Sequence, residues 1–343
     1  MIKFESFSTY LIVMVSLMTF ISSCKQPDDN EPVIPTFPPL TDAIPYEKLG
    51  QGKLVFQRVG PMDNAYSGIY VVDITQQKAW GISNGDLDGP AVSPDGQKIV
   101  YTSYASEETA YDVYVMGIEG AYRERVSNIR GQEHIPCWTP GGNKILFLAI
   151  HFDSFMTGIY RQSPVQDPPD RELVIDFNTL DPVYDPSPQD GSISVSPGGN
   201  IAVSSYYGIF TFDPDGSNRA YIIESTLDLH HYSAAWSPDG NQLAVLEIQW
   251  DQNAIQSLAV VLHAPDGIDP DTLVSMPASG NQMWLGDRSY SLCWSPDGFQ
   301  IAFTRPDGQD VGSHIYTIKN DGTGLTQVTS ASGITDRSLS WGL

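Results

Sequence analysis

A five-residue motif occurs five times along this chain and limits what the chain can fold into. Each copy has a Trp or Val anchor, then Ser or Thr, Pro, Asp or Gly, and Gly, and a strand-like apolar run follows. Pro fixes φ, the Asp side chain bonds the backbone and Gly supplies positive φ, so each copy predicts a tight β-hairpin. The copies begin at Val92, Trp138, Val195, Trp236 and Trp294. Their spacing is typical of a four-stranded propeller blade with variable loops.

Further strand-like runs complete each repeat. A third run lies at residues 112–116, 208–212 and 314–318, and it ends in a second turn such as 213–216. A fourth, more polar run reads as an edge strand. The chain holds 30 Gly and 25 Pro, and this content favours many short strands over long helices.

The two ends of the repeat region hold complementary fragments. Residues 338–342 read as a first strand with the anchor Trp341, whereas residues 54–57 and 68–72 read as strands two and three without a first strand. The last strand is therefore expected to complete the first blade. The sequence predicts an all-β fold over residues 49–343, a six-bladed β-propeller of four-stranded blades that the C-terminal strand closes.

The first 48 residues read as targeting and tether. Lys3 precedes an apolar run over residues 10–21, which is too short to span a bilayer but suits a signal peptide. The run ends in Ile21-Ser22-Ser23-Cys24, which resembles the lipobox of bacterial lipoproteins. The resemblance implies a signal peptide over 1–23, a lipidated Cys24 that anchors the chain to a membrane, and a disordered Pro-rich, acidic tether over 24–48.

The charge of the chain and of its tether limits its location and partners. The acidic stretch behind Cys24 is similar to the surface-export signal of Bacteroidetes-type lipoproteins; a plain linker facing the periplasm is the alternative. We therefore expect a cell-envelope protein anchored to the outer membrane, on its periplasmic or its outer surface. The net charge of −23 argues against nucleic-acid binding, which needs clustered Lys and Arg.

The repeat resembles that of a known family. The (W/V)-S-P-D-G hairpins, the Asp-Gly turns and the Ile-Tyr pairs at 69–70, 159–160 and 315–316 resemble the TolB-type propeller repeat, also called the PD40 repeat. The resemblance covers roughly residues 50–343 and implies the fold. TolB also carries an N-terminal α/β domain that contacts its inner-membrane partner. This chain has a Pro-rich tether in that place, so the resemblance does not extend to a role in the Tol system.

Two cysteines remain once Cys24 is lipidated. Cys137 and Cys293 each lie one residue before an anchor Trp, on the first strands of the third and sixth predicted blades. Those blades face each other across the ring, at a separation too large for a disulfide. The sequence predicts two buried free thiols that act as small apolar residues.

Sequence motifs for catalysis are sparse. The chain has no HExxH, no CxxC pair and no P-loop. Residues 81–85 match G-x-S-x-G, but that motif needs a strand-to-helix turn in an α/β sheet, so we interpret it as a turn. Residues 213–224 loosely resemble a calcium loop, but Asn218 stands where the loop needs Gly, and we interpret this segment as a turn too.

Polar and aromatic residues concentrate on one predicted face of the ring. The loops before the first strand and between strands two and three of each blade emerge there, and we expect them to form a funnel at the ring axis. The candidate ligand-binding residues of this funnel are Asp88, Glu133, His134, Asp190, His230, His231, Arg288, Arg337, Trp250 and Trp284. A binding site, a catalytic site and a polar, water-filled channel are all compatible with this composition.

Two functions are compatible with the sequence. The preferred hypothesis is a monomeric, non-catalytic scaffold that binds an envelope protein or glycan. The alternative is a metal-dependent polysaccharide lyase or hydrolase that uses the central funnel. Oligogalacturonate lyases have similar propeller repeats, and the resemblance implies a His-bound divalent metal there. The candidate ligands are His134, His230, His231 and His314.

Overall fold

The computed structural model describes residues 39–60, 67–84, 87–106, 110–154, 156–166, 170–179, 191–251, 254–277, 290–307 and 312–343. These residues belong to one compact unit. The predicted signal peptide, Cys24 and the funnel candidates Asp190, Trp284 and Arg288 lie outside the described residues.

The described residues are nearly all in strands and turns. Two 3₁₀ helices cover Tyr46–Lys48 and Phe177–Thr179. The strands are, in chain order, β1 (Lys53–Val59), β2 (Gly68–Asp73), β3 (Lys78–Asn84), β4 (Leu87–Val92), β5 (Lys98–Ser106), β6 (Ala110–Gly117), β7 (Glu124–Arg125), β8 (Gly131–Trp138), β9 (Ile145–His151), β10 (Thr157–Gln162), β11 (Glu172–Asp176), β12 (Ile193–Val195), β13 (Ile201–Ser205), β14 (Gly208–Phe212), β15 (Ala220–Glu224), β16 (Leu229–Trp236), β17 (Leu243–Asp251), β18 (Ala254–His263), β19 (Asp271–Pro277), β20 (Leu292–Trp294), β21 (Gln300–Asp307), β22 (Gly312–Lys319), β23 (Thr326–Gln327) and β24 (Thr335–Gly342).

Consecutive strands form antiparallel sheets, which give the molecule a β-propeller fold with four-stranded blades. Four separate sheets contain β4–β7, β8–β11, β12–β15 and β16–β19. In each of them the strand that carries the motif anchor pairs only with the strand after it. The prediction of an all-β propeller of four-stranded blades is therefore confirmed at this level.

The remaining strands form one eight-stranded sheet. Its order is β20-β21-β22-β24-β1-β2-β3, and β23 also pairs with β22. The last strand, β24, runs antiparallel to β1 from Lys53↔Gly342 to Val59↔Thr335. By contrast, a single parallel pair, Ser313↔Thr335, joins β22 to β24. The C-terminal strand thus completes the sheet of the N-terminal strands, as the two ends of the repeat region predict.

The repeated motif forms the predicted hairpin through its Ser and Asp side chains. Ser93 Oγ donates a hydrogen bond to Asp95 Oδ1 at 2.6 Å and accepts one from Lys98 N at 2.9 Å. Gly96 has φ of +68°, in the region that favours glycine. The two side chains therefore bond the turn backbone from both ends. The same Ser–Asp bond recurs at Ser237–Asp239 and Ser295–Asp297.

The anchor residues join neighbouring sheets. Trp138 Nε1 donates a hydrogen bond to Ala91 O at 3.0 Å, and Trp294 Nε1 donates one to Ala235 O at 2.9 Å. In both cases the acceptor is the residue before the anchor of the preceding sheet. The large anchor ring therefore buries apolar area between two sheets while its N–H remains bonded.

Serines on the first strands make a second set of bonds between neighbouring sheets. Ser194 Oγ accepts a hydrogen bond from Trp236 N at 3.0 Å, and Ser340 Oγ accepts one from Val92 N at 3.0 Å. Ser291 Oγ accepts a similar bond from Leu339 N at 3.2 Å. The first strands face the ring axis and lack a strand partner on that side, so these hydroxyl groups satisfy backbone N–H groups.

The end of the predicted tether packs against the propeller, which corrects the expectation of disorder up to residue 48. Leu40, Ile44 and Tyr46 contact the core cluster that contains Leu49. Asp42 Oδ1 accepts hydrogen bonds from the backbone N–H groups of residues 330 and 331 at 2.6 and 3.0 Å. The apolar residues among the prolines explain this, because Leu40, Ile44 and Tyr46 partly bury their side chains against that cluster.

Candidate functional site

A central cavity of about 490 Å³ lies between the first strands. Residues of β4, β8, β12, β16, β20 and β24 line it. Each first strand contributes at least one Ser, Ala, Cys or Gly to its wall, beside larger apolar residues such as Trp and Pro. The serines that line it are Ser192, Ser194, Ser233, Ser237, Ser291, Ser295, Ser338 and Ser340.

The two cysteines of the described residues line the same cavity. Cys137 and Cys293 are free thiols, as the sequence predicts. Burial raises the pKa of Cys137 to about 12 and also raises the pKa of Cys293. Both groups therefore remain neutral thiols at physiological pH and are poor nucleophiles.

Five side chains share one position near the start of the first strands, at the end opposite the hairpins. Each lies four residues before its anchor, and we call them the mouth residues. They are Asp88, His134, Tyr232, Tyr290 and Arg337. Tyr290 also lines the central cavity. The set combines a carboxylate, an imidazole, two phenols and a guanidinium, which suits a polar ligand.

Arg337 is the cation among the mouth residues. Its Nε donates a hydrogen bond to Gln57 Oε1 at 3.0 Å, and Gln57 Nε2 in turn donates one to the carbonyl of Leu87. Burial lowers the pKa of Arg337, and the nearby Tyr111 acts in the opposite direction. No carboxylate in the described part of the chain lies within ion-pair distance of this guanidinium.

His134 and Asp88 lie on the neighbouring strands β8 and β4. The His134 ring packs against the Tyr111 ring at 5.7 Å between centroids, and its Nε2 lies 3.3 Å from Gln132 Oε1. Asp88 Oδ1 accepts a hydrogen bond from Gly89 N at 2.9 Å. The mouth is therefore polar beside the two sheets that contain β4 and β8.

The other side of the mouth is aromatic. The His230 ring lies 5.3 Å from Tyr206, 5.9 Å from Tyr232 and 6.3 Å from Trp250, measured between centroids. The Tyr206 ring lies 5.4 Å from Tyr207 and nearly perpendicular to it. We call these five residues the aromatic cluster. Burial is the main cause that lowers the pKa of His230, so this imidazole is largely neutral at physiological pH and the cluster carries no formal charge.

The prediction that Glu133 lines the funnel is wrong. Its side chain is fully buried, and its carboxylate accepts hydrogen bonds from Val113 N at 2.9 Å, from Ile129 N at 3.3 Å and from Ser127 Oγ. Burial raises its pKa to about 7, and the charge of Asp112 adds to the effect. The sequence places Glu133 in a loop, but β8 begins at residue 131, and strand alternation turns this side chain away from the mouth.

His231 is also buried, for the same reason, although the sequence predicts it in the funnel. It lies on β16 five residues before its anchor, as Glu133 does on β8. Its Nδ1 lies 3.0 Å from Ser225 Oγ, and its Nε2 lies 3.5 Å from Glu247 Oε1. His263 Nε2 approaches the same carboxylate oxygen at 3.6 Å. The position five residues before the anchor therefore faces the neighbouring sheet.

The four histidines considered as metal ligands do not come together as a set. His134 contacts Tyr111, His230 belongs to the aromatic cluster and His231 contacts Glu247. His314 is buried on β22, opposite Arg305. Across the described ranges, no group of three or more His, Cys, Asp or Glu side chains has an arrangement that would hold a metal ion.

Sequence reasoning missed three aromatic residues of this face. Tyr206 and Tyr207 form the turn between β13 and β14, and Tyr111 lies at the start of β6. Tyr206 and Tyr207 lie between the second and third strands of their sheet, and Tyr111 lies at the start of the third strand of its own, at the end where the sequence places the funnel face. The same rule, applied to every such loop, would have found them.

Comparisons with known proteins support the fold assignment. TolB from Acinetobacter baumannii superposes with a TM-score of 0.65 at 17% identity, over 84% of this chain and 66% of that chain. A putative TolB from Agrobacterium tumefaciens superposes at 0.54 and 14% identity, over 83% of this chain and 92% of that chain. This chain has a TolB-like β-propeller fold. It spans about two thirds of the length of the Acinetobacter protein.

An oligogalacturonate lyase solved in complex with manganese also matches, with a TM-score of 0.50 at 14% identity, over 77% of this chain and 70% of that chain. No protein-family model and no curated protein matches the sequence. Identities this low show a common fold and leave the function to the site. Within the part of the chain that the structure describes, no helix is long and apolar enough to cross a membrane.

Proposed function

We propose that this protein is a lipid-anchored cell-envelope lipoprotein whose propeller binds a protein or glycan partner without catalysing a reaction. The aromatic cluster carries the proposal. Tyr206 is 67% exposed and Tyr207 is 36% exposed. The His230 ring contacts Tyr206, and Tyr232 and Trp250 pack against His230 in turn. Such rings supply a large contact area at a small cost in side-chain entropy, and tyrosine O–H groups can bond a polar partner.

The ring that presents this cluster is, in our proposal, six-bladed. Six first strands line the central cavity, which supports six units around one axis. The single residue pair between β22 and β24 supports the division of the eight-stranded sheet into two blades, β20–β23 and β24-β1-β2-β3. Each blade would then have four strands. An experimental structure with five or seven first strands around the axis would contradict this count.

The lipid anchor and the envelope location rest on the residues before the propeller. The Ile21–Cys24 segment and the acidic stretch after it support attachment through Cys24. Labelling of cells with an alkyne fatty acid tests this attachment. Label is expected on the full chain and absent from Cys24→Ala, and equal labelling of the two chains would contradict it.

The binding function is tested by removing the exposed part of the aromatic cluster. Purified full chain, the double variant Tyr206→Ala/Tyr207→Ala and the control Tyr122→Ala are compared on a glycan array and in cross-linking in intact cells. Tyr122 is a suitable control because it is 85% exposed and lies outside the cluster. We expect the partner or glycan that the parent and the control recover to be lost from the double variant.

Two results would overturn the binding proposal. The first is a double variant that folds and recovers the same partner as the parent. The second is a parent that recovers no reproducible partner and no glycan. We do not extend the proposal to metal-dependent cleavage of polysaccharides, because no specific observation in the described residues favours it.

A further inference from the structure

Two arginines on the paired strands β1 and β24 have opposite electrostatic environments. Arg58 forms ion pairs with Asp336 and Asp42, each at 2.7 Å. Arg337, which follows Asp336 in sequence, has no acidic partner among the described residues, and its Nε donates a hydrogen bond to Gln57 Oε1. The chain has 41 acidic and 18 basic residues. With so many carboxylates available, a largely buried arginine that pairs with none in the described part of the chain is unusual.

The surroundings of Arg337 fix its orientation. Gln57 is buried and bonded to the carbonyl of Leu87 on β4, so it holds the Nε edge of the guanidinium in a defined direction. The Nη1 and Nη2 groups are then left to form the outer edge of the fork. This edge matches the two oxygens of a carboxylate, which a guanidinium binds through two parallel hydrogen bonds.

The groups that share the mouth with Arg337 are polar, and they include the carboxylate of Asp88. Tyr111 lies near Arg337, and its ring packs on His134. Ser338, the next residue on β24, lines the central cavity. A ligand held at Arg337 would therefore lie beside Ser338, a residue of the cavity wall.

We propose that Arg337 is an anion-binding subsite that takes the carboxylate of a small ligand at the mouth of the central cavity. The subsite rests on the proposed binding function but uses residues distinct from the aromatic cluster. An incoming carboxylate replaces the water around a partly desolvated guanidinium, so the ion pair forms where the dielectric constant is lower than in bulk water. Gln57 acts as the positioning residue.

The test is titration of the full chain with matched pairs of small molecules, followed by calorimetry or protein NMR at low and high salt. Sodium glucuronate is compared with methyl glucoside, and N-acetylglycine with N-acetylglycinamide, so that a sugar acid and an amino-acid carboxylate are distinguished. The variants are Arg337→Met and Arg337→Lys. The control is Arg130→Met, because Arg130 is exposed and pairs with Asp153 at the surface.

We expect at least one carboxylate to bind the parent and Arg130→Met at least tenfold more tightly than its neutral match. Arg337→Met should lose this preference, and Arg337→Lys should retain part of it, because an ammonium keeps the charge without the planar fork. Binding should weaken as salt rises. The carboxylate that binds identifies the source of the anion.

The proposal is overturned if neither carboxylate binds the parent more tightly than its neutral match, or if folded Arg337→Met keeps the preference. If Arg337→Met does not fold, Arg337→Lys decides the question, and an unchanged affinity in that variant would overturn a planar, two-bond contact. The proposed function is tested independently by Tyr206→Ala/Tyr207→Ala. If that double variant loses the partner while Arg337→Met keeps the carboxylate preference, the anion subsite is wrong and the proposed function stands.

Discussion

Arg58 and Asp336 lie 278 residues apart in sequence and form a two-bond ion pair, with Nε–Oδ1 at 2.7 Å and Nη2–Oδ2 at 2.9 Å. Both side chains are buried. The guanidinium also lies 5.6 Å from the centre of the Phe56 ring and 5.4 Å from that of Tyr70. The pair joins β1, the first strand in the chain, to β24, the last, and the hydrogen bond that Arg58 Nη1 donates to Asp42 Oδ2 attaches the N-terminal segment to the same point.

Removal of Asp336 is expected to destabilise the propeller strongly. Asp336→Ala leaves a buried guanidinium with Asp42 alone, and breaking such a pair costs about 3–5 kcal/mol. The control Asp153→Ala removes an exposed partner of Arg130 and should cost about 0–1 kcal/mol. Urea unfolding followed by tryptophan fluorescence measures both. Equal losses in the two variants would show that the closure does not depend on this pair.

The anchor tryptophans provide a matched test of the bonds between sheets. Trp294 Nε1 is bonded to Ala235 O, whereas the buried Nε1 of Trp236 has no hydrogen-bond partner in the residues that the structure describes. Both Trp→Phe changes remove similar volume. Trp294→Phe should therefore cost about 1 kcal/mol more in unfolding free energy than Trp236→Phe. Chemical unfolding of the two variants checks this, and a larger loss from Trp236→Phe would contradict the assigned bonds.

Glu133 is expected to make the protein less stable as the pH rises toward neutrality. Its folded-state pKa of about 7 lies above the ordinary value of 4.5, so the folded protein holds this proton more tightly than the unfolded chain. The raised pKa of Glu133 stabilises the folded protein by about 3 kcal/mol below pH 4.5, relative to high pH. This stabilisation is lost as the pH rises from 4.5 to about 7. Glu133→Gln should reduce this slope, as measured by urea unfolding at several pH values.

The control for this measurement is Glu172→Gln, since Glu172 is an exposed residue of β11. It should leave the slope of the parent unchanged. A Glu133→Gln variant with the parent's slope between pH 4.5 and 7 would show that Glu133 titrates in its ordinary range.

Glu247 is expected to act in the opposite direction and at lower pH. Burial acts to raise its pKa, but His231 and His263, whose Nε2 atoms lie 3.5 and 3.6 Å from Glu247 Oε1, outweigh this and lower it to about 2, from 4.5. Its stabilisation is present above pH 4.5 and is lost as the pH falls toward 2. The loss is on the order of 1–2 kcal/mol after allowance for solvent screening.

Acid titration of the unfolding free energy tests this for Glu247→Gln. Between pH 5 and pH 3 the variant should lose less stability than the parent. An equal loss in both would place the acid-sensitive group elsewhere. The double variant His231→Gln/His263→Gln serves as the partner control, and it should weaken the same dependence.

The fold follows from local chemistry that the sequence displays directly. The Ser and Asp of the motif bond the hairpin backbone within five residues, as Ser93 and Asp95 do, so a local pattern suffices to predict each turn. The anchor Trp341 near the C-terminus predicts the pairing of β24 with the N-terminal strands, because that strand has no partner in its own part of the chain. The free thiols at Cys137 and Cys293 follow from the same repeat.

The candidate site was only partly predictable, because the direction of each side chain depends on where a strand begins. Glu133 and His134 are neighbours in sequence, yet β8 extends to residue 131 and turns Glu133 into the interface and His134 toward the mouth. A bulge then interrupts β8, and Ile135 has φ of +53°. The composition of the segment predicts neither where β8 begins nor where the bulge lies.

The sequence by itself determined the repeat, the turns and the all-β propeller, since each rests on contacts within one hairpin or on the spacing between hairpins. Only the tertiary structure decided which charges find partners. Arg58 meets Asp336 and Asp42, while Arg337 meets Gln57 and no described carboxylate. The physical reason is that an ion pair depends on a few ångströms between atoms that lie hundreds of residues apart in the chain, and ring closure alone sets that distance.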